Sequence, residues 1–158
     1  MSVVRPTITE VISHIRDREY MGGIQRDKLR VKQTEEVFTK QVTARFVVEK
    51  IEKFYPGIFS DPNKKVIDST GCGDGQLLSE VLIKRIENGI DFEKAISTLY
   101  GVEKELDNVK LCRERLLCKQ NDLKHIVEKN IVHSSYQKYN FGFGESYTIG
   151  NGLFEVVD

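Results

Sequence analysis

Gly71, Gly73 and Gly75 alternate with Cys72 and Asp74 immediately after the apolar run Val66-Ile67 and Asp68. Alternating glycines belong where a backbone turns sharply and comes close to a ligand. Lys65–Asp68 has the pattern of a short buried strand. Leu77, Leu78, Val81, Leu82 and Ile86 follow at helical spacing. A strand, a glycine turn and a helix in that order make a nucleotide-type cofactor site. A dinucleotide site would need its third glycine one position later, where Gln76 stands, and no lysine follows the turn as a phosphate-binding loop of the Walker type requires. The spacing therefore suits a smaller ligand at the C-terminal end of the strand. The next strand, ending Tyr100-Gly101-Val102-Glu103, supplies the carboxylate such a ligand needs, because a carboxylate accepts two hydrogen bonds from a ribose diol. Cys72 has no histidine base implied beside it and is a turn residue rather than a nucleophile.

The elements that must position these residues are legible along the chain. Residues 7–20 form a helix with Thr7 and Glu10 at capping-box spacing and Ile8, Val11, Ile12 and Ile15 on one stripe. Gly22-Gly23 breaks it, and the charged stretch Gln25 to Glu36 has no decisive pattern. A second helix runs over about Val42–Phe54 and stops at Tyr55-Pro56-Gly57. Further helices are expected over about Asp74–Asn88, Phe92–Ser97 and Leu106–Lys119, with strands at Thr98–Glu103 and Asn130–His133. Residues 139–152 carry four glycines and read as loop or irregular hairpin. Leu153–Val157 reads as a fourth strand. Strands alternating with amphipathic helices argue for a doubly wound α/β sheet.

The bulk composition narrows the classes. The 158 residues allow one domain with a real core. The 24 basic and 24 acidic residues cancel, so no basic footprint marks strong nucleic-acid binding by the whole chain. The basic residues of 16–32 read as a solvated face. No apolar stretch approaches a membrane span and no signal-peptide core opens the chain. Three cysteines without C-x-x-C spacing suit a reducing, cytoplasmic setting. The three histidines have no metal-ligand spacing with them, so no metal site is expected. Tyr136 and Tyr139 read as local packing.

Five motifs, in order, resemble those of class I S-adenosylmethionine (SAM)-dependent methyltransferases, and within them the N6-adenine DNA methyltransferases. The family's "D-P-(A/T)-C-G-(S/D)-G-x-(F/L)-L" is similar to Asp68 through Leu78, and its "Y-G-(V/I)-(D/E)" to Tyr100–Glu103. Its "F-T-P" before a helix is similar to Phe38-Thr39-Lys40. Asn130-Ile131-Val132-His133-Ser134-Ser135 resembles the third-strand motif, and Phe154–Asp158 the strand leading to the catalytic loop.

The resemblance implies a Rossmann-like three-layer sandwich with strand order 3-2-1-4. Residues 1–40 would be an N-terminal helical extension and residues 41–158 the SAM-binding domain. It implies that Gly71, Cys72, Gly73 and Gly75 pack against the methionine part of SAM, with Asp68 near its amino-acid end. Phe38 and Thr39 would close over the cofactor, Glu103 would bind the ribose, and Ser135 would take the place of the acid that contacts the cofactor adenine. The sequence departs from the family at the additional Gly71, at Lys40 for proline, and at Ser135 for the acid. The catalytic "(D/N)-P-P-(Y/F)" motif is not among the 158 residues; Asp158 is the catalytic acid only if it begins that motif. The expected partners follow: DNA, engaged through a separate or C-terminal half, and a second chain or second copy covering an exposed sheet edge. A degenerate, non-catalytic SAM-binding or assembly protein, and a small methyltransferase for another substrate, are the alternatives.

Overall fold

A computed structural model of the protein describes residues 3–17, 39–144, 147–149 and 154–156. Helix α1 spans Ile8–Arg16 and opens with a complete capping box: the Glu10 N–H donates to Thr7 Oγ1 and the Thr7 N–H to Glu10 Oε2. Helix α2 spans Gln41–Phe54, and strand β1 spans Val66–Asp68. Helix α3 (Gln76–Glu87) follows the glycine turn, and α4 (Phe92–Ser97) starts at Asp91, whose carboxylate caps the Lys94 N–H. Strand β2 is Leu99–Glu103, and α5 is Leu106–Leu117, ended by Cys118 and Lys119 in the left-handed region. A short 3₁₀ turn leads into α6 (Lys124–Asn130) and β3 (Ile131–His133). The pair β4 (Tyr147–Ile149) and β5 (Phe154–Val156) comes last.

Strands β1, β2 and β3 form a parallel sheet with β2 in the centre. Asp68 lies opposite Gly101, and Glu103 opposite His133. The fold is thus mixed α/β with strand order 3-2-1. The expected fourth strand does form, but its hydrogen-bonded neighbour is β4, in a separate antiparallel pair. A local pairing closes a shorter loop than a return to β1. Among the described residues β1 has a strand on one side only.

The two faces of the sheet are covered differently. Val66, Leu99 and Ile131 join one large core to which every described helix contributes, α1 through Val11 and Ile15. Tyr100 and Val102 face the other way and pack with Val132, Tyr139, Phe141 and Phe143. The segment after β3 therefore covers that face with a cluster of edge-on rings rather than a helix, so the helices on both faces that a three-layer sandwich requires are not among the described residues. The Phe143 N–H donates to the Tyr139 hydroxyl and fixes this lid of rings.

Helix α3 is buried on nearly every side. Its polar residues survive there because each has a partner. Glu80 takes a two-pronged contact from Arg16 of α1, at 2.7 and 3.2 Å. Arg85, fully buried, donates to the carbonyls of Asp61 and Lys64. These contacts tie α1 and the loop before β1 onto the helix that follows the glycine turn.

Candidate functional site: the glycine turn and its two carboxylates

The turn between β1 and α3 is built by conformation first. Gly71, Gly73 and Gly75 all have positive φ, at 100°, 54° and 85°. The Cys72 N–H donates to the Val102 carbonyl at 3.0 Å, which folds the turn back over the end of β2. The additional glycine is absorbed inside the turn, since Asp68 keeps its register opposite Gly101. Cys72 is buried against Gly101, where a Cβ would meet its Sγ at 2.7 Å. A hydrogen bond with Cys112, together with burial, raises the Cys72 thiol well above its usual range, so it is held as a neutral packing group.

A buried ion pair that spacing along the chain does not reveal anchors the turn. Arg115 of α5 is 1% exposed and Asp74 is 2% exposed. Their salt bridge spans 3.1 Å, and a second arm of Arg115 donates to Gln76 Oε1 at 3.0 Å. Gly75 packs against the same helix: a Cβ there would lie 2.8 Å from Cys112 Sγ and 3.3 Å from its Cα. Its backbone therefore serves the approach of α5 as well as the turn. Nothing in the sequence pairs Asp74 with Arg115, because their contact depends on how α5 crosses α3.

The carboxylates stand where the sequence places them. Glu103 ends β2 and is 7% exposed. Its Oε2 accepts the Gly73 N–H at 2.8 Å, and its Oε1 accepts the Glu105 N–H at 2.9 Å. One carboxylate thus clamps the glycine turn to the start of the next helix, with one further acceptor site left on each oxygen. Asp68, half-buried at the end of β1, is pushed up to about 6 by burial, against a hydrogen bond from Thr70, with the nearby Glu103 charge adding to the rise.

Ser135 follows β3 half-buried, and the preceding Ser134 N–H donates to the Glu103 carbonyl at 3.0 Å. Asp68, Gly71, Cys72, Gly73, Glu103 and Ser135 accordingly gather at the C-terminal edge of one parallel sheet. Thr39 lies half-buried just before α2. Phe38 and Asp158 lie outside the described residues. A separate apolar groove of about 370 Å³ runs along the outer edge of β1, lined by Val47, Ile51, Ile58, Ile67 and Leu77, with Asp68 at its end.

No protein-family model, curated protein or solved structure matches the chain.

Proposed function

We propose that this chain is the SAM-binding part of an adenine-N6 DNA methyltransferase. The observation that carries the reading is the glycine turn at the carboxyl edge of parallel strands, with Asp68 and Glu103 ending neighbouring strands around it. Ligands of open α/β sheets bind at that edge. The residues fit the group in three respects. Gly71 and Gly73 carry no side chain of their own, and the one group seated on their backbone is the Glu103 carboxylate. Asp68, once ionised, is an anionic partner for the ammonium end of an amino acid. Glu103 keeps acceptor capacity for a diol, provided the Gly73 N–H shares or yields its seat.

SAM held there would supply an electrophilic methyl group on sulfur. These residues would bind and orient it; polarising an adenine amine belongs to the (D/N)-P-P-(Y/F) motif, whose acid Asp158 would be only where it begins that motif. The sheet order 3-2-1-4 would require the strand of residues 153–157, paired with β4 through residues 154–156, to seat on the edge of β1 beside the groove.

Calorimetric titration with SAM tests the reading. Saturable binding is expected, and Glu103→Ala should weaken it roughly tenfold or more, the effect of losing charge-assisted hydrogen bonds of about 1.5–3 kcal/mol. A folded protein that gives no heat on the order of 1 mM SAM would overturn it. One observation favours a purely structural turn: both Glu103 oxygens already accept backbone N–H groups. In that case Glu103→Ala lowers the melting temperature and changes no ligand affinity.

A further inference from the structure

Helix α2 turns an outer face to solvent that no other described element covers. Val42, Phe46 and Phe54 are 78%, 57% and 73% exposed, and Tyr55 follows at 66%. Exposed large rings need a reason. At 100° per residue, Val42, Phe46, Lys50, Lys53 and Phe54 share the stripe opposite the buried Ala44 and Val48, with the exposed Glu49 at its edge beside Val42. Glu52, on the flank, turns inward to Asn88 and Lys84. Lys50 Nζ lies 5.2 Å from the Phe46 ring centroid, which holds an ammonium beside one face of the ring. Across the groove from Val47 and Ile51 the exposed Lys64 adds one more cation, while Lys65 Nζ lies 5.5 Å from the Tyr100 ring centroid.

We infer that this face of α2 docks a single-stranded nucleic acid. Rings interleaved with cations are what such a strand requires: each base stacks on a ring while the phosphates meet lysines. Phe46 and Phe54 are eight residues apart, roughly 12 Å along the axis at 1.5 Å per residue. That distance matches about two nucleotide steps of an extended strand. A membrane face would present a continuous apolar stripe, whereas here Lys50 and Lys53 separate the rings. The surface does not depend on the cofactor reading, and it succeeds or fails independently of SAM binding.

The protein contains no tryptophan, so Phe46→Trp introduces a single reporter at an exposed position. Its emission should be quenched saturably by an oligothymidylate of about 20 nucleotides at low salt, and dextran sulfate, a polyanion without bases, should not quench it. In the otherwise unaltered chain, anisotropy of a labelled oligothymidylate should show binding that weakens steeply with salt. Phe46→Ala should weaken it about fivefold to tenfold and Lys50→Gln/Lys53→Gln by a similar factor, while circular dichroism and melting stay unchanged. Absence of binding at about 50 mM salt, binding unaffected by these variants, or binding of duplex alone would overturn the inference. So would a Phe46→Trp blue shift on anionic vesicles without response to the oligonucleotide, or a Phe46-dependent dimer that binds none.

Discussion

Asp68 shows how one side chain can report on the whole site. Its neighbours hold its carboxyl near 6, above the ordinary 3.8. The folded protein therefore keeps a proton that the unfolded chain releases between about pH 4 and 6. The contribution of Asp68 to stability should be greatest below that window and should fall as pH rises through it, by on the order of 2–3 kcal/mol at the limit. Asp68→Asn removes the titrating group, and urea melts at pH 4 and 7 should then differ less than in the natural protein. If Asp68 also meets a cationic amino-acid end, SAM affinity rises as pH passes 6, because only the ionised carboxylate attracts the ammonium. Both signs follow from the same cause: burial beside Glu103 disfavours the charge until a cation compensates it.

At the scale of elements, the glycine turn is held by α5 as much as by its own residues. The Asp74–Arg115 bridge is buried on both sides. Removing one partner leaves the other charge without compensation, so Asp74→Ala should cost about 3–5 kcal/mol. The double change Asp74→Leu/Arg115→Met should cost clearly less, since apolar groups of similar volume carry no desolvation penalty. Thermal melts of the two variants check this. Helix α3 gives the general form of the lesson. Its sequence, with Gln76, Glu80, Lys84 and Arg85, has the pattern of a helix with one wet face. Gln76, Glu80 and Arg85 are buried because Arg115, Arg16 and two loop carbonyls are brought to them from far along the chain. Helix α6 was absent from the sequence reading for a related reason: seven residues carry too few apolar positions to reveal a period.

At the scale of the molecule, the sheet is asymmetric. One face carries all the described helices and the other a group of rings, and β1 keeps one open edge beside an apolar groove. The Val66 N–H points to β2, so by strand alternation the Ile67 N–H and carbonyl point to that edge. If the proposed order 3-2-1-4 holds in solution, the Ile67 amide exchanges with deuterium as slowly as that of Val102 in the central strand. Fast exchange at Ile67 beside a protected Val102 would mean that the edge stays uncovered.

The sequence by itself determined the order of elements from α1 to α5, the positions of the glycine turn and Glu103, and the parallel alternation of strands and helices. All of these are written in local period, in turn chemistry and in residue spacing along a few consecutive residues. Tertiary structure alone decided that Glu103 grips its own glycine turn, that Gly75 yields room to Cys112, that Arg115 neutralises Asp74, and that β5 pairs with β4. Each of these joins residues whose meeting depends on the angle and distance between packed elements, and no local pattern of side chains encodes that angle.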